Sequence, residues 1–542
     1  MNTIVKKIGE RLKKVPLGFW VFGAILIVGI FLRTYEFRDW MTFNPDQARD
    51  ALLVQDMIDG KQWPLMGPQA GNTFFKLGPI FYYFEYTVAL IFGSSAEKMA
   101  YADLFFSIAT IILGYFFFRK FFEEKIALAV TFLLSISFFV VTYSRFAFNP
   151  NSIPFFTLLF FFALLAIIDN APKEKLRWAM LLGVAMGIGF QLHTILFISM
   201  PLLALLVLGY LFVQKHFIWK SVCVTLLFFF LANTGQLLYE INNNGANIRS
   251  FFTDAQSSTE GVGKNYGEDF SNDVLCHIQG ATYIVSSLGS GDKCNLTGLV
   301  SRIEKKGIRS NIERIAIAIF GTIFTLGGFI LFGLFIKKEV DPRRKRAFVL
   351  VAIYSAIIFL ILFSVSSSLS IRYFIAIEFI PFLLAGLWIH FFLYRIHNKF
   401  SILCAGLFVA TLIFFNVWTI RDAVVAFRNG TASTDNVAYF GEVKQMSEYF
   451  LENSKGSGII YVAGKKAYLS RYGKPLEYFA KQQGVVVSKV YKPEKITADD
   501  SFFYIQKHIS PEKKIPEVID GFISEKAQTF GNVTIITLKR NP

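Results

Sequence analysis

Long apolar runs separated by short basic stretches fill most of the chain, and the last part changes to a finer mixture of apolar and charged positions. Runs such as residues 153–168 and 315–336 are suited to helices crossing a hydrocarbon layer of about 30 Å. The basic residues set their direction, because Lys and Arg are retained on the cytoplasmic side. With Lys6, Lys7, Arg11, Lys13 and Lys14 inside, residues 17–33 cross outward. Residues 100–118 return to Arg119, Lys120 and Lys125, 126–143 go out, and 152–168 come back to Lys173, Lys175 and Arg177. Residues 178–192, 194–213 and 221–238 follow, with Lys215 and Lys220 at the inner turn. After a long external loop at 239–311, residues 312–336 run inward to the cluster from Lys337 to Arg346. Residues 347–366, 373–393 and 400–420 complete the set, with Arg395 and Lys399 inside. Counting the apolar stretch 78–93 as a crossing inverts every later loop, so it is read as a helix lying along the outer surface. The expected fold is a polytopic α-helical membrane protein of about eleven spans. Its N-terminus is cytoplasmic and its C-terminus extracytoplasmic, in a cell or inner membrane.

The tail from about residue 422 reads differently. Tyr439, Val443, Met446 and Phe450 recur at helical spacing ahead of the strand-like run Ile459-Ile460-Tyr461-Val462. Further strands are expected at 485–490, 502–505 and 533–538, and helices near 466–482 and 515–526. The chain thus divides into a membrane domain, 1–421, and an extracytoplasmic α/β domain, 422–542. External loops fall at 34–99 and 239–311.

Composition sharpens this picture. Of 542 residues, 54% are hydrophobic and only 17% charged, too little polar surface for a soluble protein of this length. The net charge of +16 lies largely in the short inner turns, so it sets topology and touches membrane lipids; no nucleic-acid partner is implied. Cys276 and Cys294 share the long external loop, where a disulfide is permitted, whereas Cys223 and Cys404 sit in apolar runs. No Cys/His spacing of a zinc site and no nucleotide-type glycine loop is present.

Polar residues costly near lipid gather at the outer ends of the spans: Asp46, Lys76, Arg145, Asn149, Asn151, Gln191, His193, Gln236, Glu240 and Arg372. Their convergence from separate segments predicts a cavity that handles a polar, anionic headgroup.

Four stretches follow one another along the membrane part: Leu32-Arg33 leading to Phe43-Asn44-Pro45-Asp46-Gln47-Ala48-Arg49-Asp50; Phe75-Lys76-Leu77-Gly78-Pro79-Ile80-Phe81-Tyr82-Tyr83; Ser144-Arg145-Phe146-Ala147-Phe148-Asn149; and Ile371-Arg372-Tyr373 followed by Pro381. In this order they resemble the GT-C superfamily of lipid-phosphate-sugar glycosyltransferases, in the branch of the protein O-mannosyltransferases and lipid A aminoarabinose transferases. The resemblance implies transfer of a sugar from a polyprenyl-phosphate carrier to a lipid, protein or glycan hydroxyl, with inversion. A carboxylate must take the proton of a neutral hydroxyl, and the resemblance gives that role to Asp46, with Asp50 in support. The plainer role for Asp46 is to cap a helix starting at Gln47. Lys76, Arg145 and Arg372 are the cations expected to meet the leaving phosphate. Asn149, Gln191, His193, Glu240 and Tyr373 complete the expected substrate-binding set. Gln47 stands where many members carry Glu, and Asn149 and Asn151 where an acid is common. A divalent metal is thus left open but not indicated, and no cofactor is assigned. A lipid-sugar flippase or transporter is the competing reading; such proteins carry paired repeats, and none is evident here.

Overall fold

The computed structural model describes residues 16–540 except 72, 170–171, 216–218, 260–265, 290–293, 295–298, 367–368, 396–399, 435–436, 455–457, 491–500 and 509–514. The N-terminal basic cluster and Lys399 lie outside the described residues. Seven helices are long and apolar enough to cross a bilayer: Leu17–Thr34, Ala96–Phe118, Asn149–Asp169, Thr194–Val213, Arg309–Lys338, Pro342–Phe363 and Phe400–Arg428. Two more candidates are broken. Trp219–Ala232 and Thr234–Asn242 meet at 68°, and Ile371–Ile377 and Phe379–Arg395 at 70°. Helices also occupy the two remaining expected spans, Glu124–Ile136 with Phe138–Tyr143 and the more charged Pro172–Leu192. The chain is thus a multi-pass membrane protein.

The helix Ile80–Phe92 has 13 residues, which reach about 20 Å and fall short of the hydrocarbon thickness. Gly183 lies so close to Thr225 and Phe228 that a methyl group there would meet the Thr225 carbonyl at 2.4 Å. The glycines of Pro172–Leu192 thus serve close helix packing. The expected external loop 239–311 is largely helical. Its longest helix, Tyr266–Ser286, is buried along one side, with Gly280 against the ring of Phe374. Cys276 and Cys294 are joined in a disulfide.

Phe400–Arg428 runs well beyond the expected end of the last span, so the membrane helix itself carries the chain into the C-terminal domain. There a six-stranded sheet has the order β2-β1-β3-β6-β5-β4. The strands are β1 Ile459–Gly464, β2 Val486–Lys489, β3 Ser501–Lys507, β4 Val518–Ile519, β5 Phe522–Phe530 and β6 Val533–Arg540. β1 pairs in parallel with β2 and β3, and the β3–β6–β5–β4 half is antiparallel. The helix expected near 515–526 is replaced by the β4–β5 hairpin. Asp520 and Gly521 both take positive φ (48° and 84°), the conformation a two-residue hairpin turn demands, and an Asp-Gly pair is suited to it.

This domain is stitched to the loop that follows the first span. Phe43 N–H donates to the Ala438 carbonyl and Phe440 N–H to that of Met41, each at 2.8 Å. Phe43 is fully buried against the rings of Phe440 and Tyr478. The helix Pro45–Ile58 packs on Lys466–Gln482, with Asp56 and Lys481 paired at 3.2 Å.

Candidate active site

A polar cavity of about 460 Å³ opens at the end of the bundle that carries the α/β domain. Five chain segments line it: Asp46 and Arg49, the loop around Gln69, Tyr143 with Phe148–Pro150, His193 with Thr194, and Arg372 with Tyr373. Of the expected site residues, the structure brings together Asp46, Asn149, His193, Arg372 and Tyr373.

Asp46 owes its place to the residue before the helix. Asn44, not Asp46, is the N-cap of Pro45–Ile58, and Pro45 takes the first helical position, where it loses no hydrogen bond. Asn44 N–H donates to Gln47 Oε1 at 3.0 Å, the reciprocal bond of a capping box. The capping role considered for Asp46 is therefore filled, and its side chain is 58% exposed in the cavity. Gln47 Nε2 also donates to the Ala147 carbonyl at 3.0 Å, tying the two loops together. Glu has no such donor, which accounts for the amide at this position.

Arg49 bridges two acids, Nη1 to Asp46 at 2.9 Å and Nε to Asp50 at 2.8 Å. Asp50 is buried a turn deeper, with Tyr82 hydrogen-bonded to it. Burial pushes its carboxyl up to about 6, although Arg49 beside it pulls the other way. Behind it lie the buried Glu85 and then Asp103, which accepts from Phe148 N–H at 2.9 Å and from Ser152 Oγ at 2.5 Å.

Also lining the cavity, Arg372 is exposed and stacks over Tyr373, its guanidinium carbon 5.5 Å from the ring centroid. The 70° break after Ile377 turns this pair away from the axis of the following span and toward the cavity. His193 sits in the turn between two spans and caps Thr194–Val213, its Nδ1 accepting from Ile195 N–H at 3.1 Å. Burial, with Arg372 nearby, lowers its pKa to about 4. The ring is neutral near pH 7, and with Nδ1 accepting, its proton lies on Nε2. Asn149 lines the wall while its amide donates to the Leu192 carbonyl at 2.6 Å.

Four expected substrate ligands are placed elsewhere. Arg145 spends its guanidinium on backbone carbonyls of Leu32, Arg33, Tyr35 and Glu36, at 2.7–3.2 Å, closing the C-terminal end of Leu17–Thr34. Gln191 is buried against Gly78, accepts from Ile80 N–H at 3.2 Å and donates to the Ala232 carbonyl at 2.7 Å. Lys76 pairs across the loop with Gln69, its backbone held on both sides by the Asn247 amide, and is not among the lining residues. Glu240 rides on the half-helix turned 68° from its span and accepts from Ile248 N–H at 3.5 Å. Sequence reasoning passed over Arg49 and Tyr143 as site residues. For Arg49 a signal existed, since its three-residue spacing from Asp46 puts both on one helix face. Among the described residues, no group of three or more His, Cys, Asp or Glu side chains is placed to hold a metal.

The fold has known counterparts. ArnT from Cupriavidus metallidurans aligns in its apo state over 96% of this chain and 97% of its own, with TM-score 0.54 and 10% identity. Its undecaprenyl phosphate-bound structure aligns equally well, at 11% identity. The archaeal oligosaccharyltransferase AglB from Archaeoglobus fulgidus, in complex with an inhibitory peptide and a dolichol-phosphate, aligns over 87% of this chain and 64% of its own. Its TM-score is 0.51 at 12% identity. By sequence, residues 76–234 match the dolichyl-phosphate-mannose-protein mannosyltransferase family. The chain thus shares its fold with these membrane glycosyltransferases, and its residues 76–234 are similar to the mannosyltransferase family. A more particular relative is the undecaprenyl phosphate-alpha-4-amino-4-deoxy-L-arabinose arabinosyl transferase of Wigglesworthia glossinidia brevipalpis. It is 24% identical over 233 residues, 41% of this chain and 38% of the relative's length.

Proposed function

We propose that the protein transfers a sugar from a polyprenyl-phosphate carrier to an acceptor hydroxyl at the outer membrane face, with inversion at the anomeric carbon. The observation that carries this reading is the pairing across one cavity of an accessible carboxylate, Asp46, with an accessible guanidinium, Arg372. In the proposed step Asp46 takes the acceptor proton, the acceptor oxygen bonds to the anomeric carbon, and the carbon–oxygen bond to phosphate breaks. The polyprenyl phosphate leaves with the electron pair. Arg372 meets the growing charge on the phosphate, and the Nε2–H of His193 supplies a neutral donor beside it. Asn149 and Tyr373 shape the sugar pocket, while Lys76 and Gln191 hold the loop that forms its wall. Gene-product names among the relatives, which include an undecaprenyl-phosphate aminoarabinose transferase, favour a lipid-phosphate donor.

The acceptor is a lipid, protein or glycan hydroxyl, and the C-terminal domain, sutured to the loop that carries Asp46, is placed to select it. The test is release of free polyprenyl phosphate from a panel of polyprenyl-phosphate sugars in the presence of cell-envelope extract. Wild type should release it and Asp46→Asn should be slower by about 10²–10⁴-fold, the worth of a general base. Turnover retained in Asp46→Asn removes the base; no release by folded wild type turns the reading toward the transporter.

A further inference from the structure

Arg49 would ordinarily be counted with Arg372 as a phosphate ligand, because both line the cavity. Its geometry says otherwise. The guanidinium is spanned between Asp46 at 2.9 Å and Asp50 at 2.8 Å, one acid in the cavity and one buried beneath it. Asp50 is itself fixed by a hydrogen bond with Tyr82 and lies in a pocket with no solvent to replace Arg49.

We propose that Arg49 is a positioning residue: anchored from below by Asp50, it holds one oxygen of Asp46 and leaves the other free toward the cavity. The proposal rests on the reading of Asp46 as the base. An unanchored Asp46 would swing between rotamers, and a guanidinium free of Asp50 would grip both of its oxygens and quench it. The bridge holds the carboxylate in one orientation while sharing the cation's charge between two acids. The charged and titratable groups facing this bridge are Asp46 and Asp50 on the same helix, Tyr82 and Glu85 on Ile80–Phe92, and Asp103 behind them. The cavity's phosphate contact then falls to the Arg372 side alone among the described lining residues, which separates base and leaving group across the pocket.

The experiment reads Asp46 directly, without turnover. Full-length protein in detergent is treated with a water-soluble carbodiimide at one fixed pH, and the rate of Asp46 modification is followed by peptide mass spectrometry. A carboxylate held in an ion pair resists this reagent. Arg49→Gln should speed modification by about two- to five-fold, the range an exposed ion pair is worth. Asp50→Asn, which leaves the whole guanidinium charge to Asp46, should slow it. Asp50→Asn keeps side-chain size whereas Arg49→Gln shortens the side chain, and a wild-type melting profile establishes that each is folded. Arg49→Lys, with a compact charge that cannot bridge both acids, should fall between wild type and Arg49→Gln. Equal rates in folded wild type, Arg49→Gln and Asp50→Asn would overturn the positioning role and leave the transferase reading intact. Opposite shifts, with Asp46→Asn still fully active in transfer, would keep the bridge but remove the base it was proposed to position.

Discussion

Replacing Arg145 separates two roles that its sequence context leaves open. If it is a phosphate ligand, Arg145→Ala weakens donor binding and little else. The structure instead gives its guanidinium to the carbonyls of Leu32, Arg33, Tyr35 and Glu36 at 3.0, 3.2, 2.7 and 3.0 Å, with the Phe37 ring 5.7 Å from its carbon. Glu36 is exposed, so water replaces that contact at small cost. The Leu32 and Arg33 carbonyls lie on the last turn of a membrane helix, beside a fully buried Arg33 side chain, where water has no ready path. Stripping the donor from two such acceptors costs about 1–3 kcal/mol each, giving about 2–6 kcal/mol in all. In a chain this large that corresponds to a loss on the order of 5 °C in melting temperature. The assay is thermal unfolding in detergent beside donor KM. Arg145→Lys keeps the charge but presents its donors from one nitrogen, so it cannot fork across four carbonyls and should recover only part of the loss. A wild-type melting temperature in Arg145→Ala, combined with a donor KM raised tenfold or more, would refute the structural role and restore Arg145 to the phosphate site.

Gln47→Glu should destabilise the loop that follows the first span by about 1–3 kcal/mol, because a buried carboxylate would face the Ala147 carbonyl that the amide now donates to. An unchanged melting temperature would show that the bond is dispensable. Glu442, in the C-terminal domain, is buried beside Ser433 and Tyr472, and burial raises its carboxyl from 4.5 to about 7. A folded-state value above the unfolded one favours the protonated fold, so this contribution is full below about 4.5 and is lost as pH rises through about 7. Glu442→Gln should flatten that decline and raise the melting temperature at pH 8; a parallel pH profile in both proteins would dismiss the effect.

The membrane helices were legible because apolar runs and basic turns are one-dimensional signals, and each expected span has a helix or a broken helix. The breaks were not. Ile371–Ile377 alone does not announce a 70° turn; Pro381, which has no N–H to donate to the Ile377 carbonyl, stands just beyond it, and the segment packs on Ile153–Asp169 and on Tyr266–Ser286, a helix hidden in what reads as a polar loop. The β4–β5 hairpin had a readable sign in Asp520-Gly521, overridden by a helix-like spacing of apolar residues around it. Within the site, Asp46, His193 and Arg372 were legible because their charge or polarity is costly where they sit. Arg145, Gln191, Lys76 and Glu240 satisfy the same rule and yet lie outside the cavity. The cost of burying a polar group says only that it needs a partner, and backbone carbonyls serve Arg145 and Gln191 as well as a substrate would.

The groups that do reach the cavity share one property: most lie at helix beginnings. Asp46 is in the first turn of Pro45–Ile58, Asn149 opens the segment that continues as Ile153–Asp169, and His193 caps Thr194–Val213. Three helix N-termini therefore bring their positive dipole ends to the lining of one polar hollow. That field favours an anion there whatever its side chains contribute. It also explains how a site with one uncommitted guanidinium among its described lining residues can serve a phosphate. Asp46 itself stands in the first turn of its helix, so one helix end both adds to the field that attracts an anionic donor and presents the base that the proposed reaction requires.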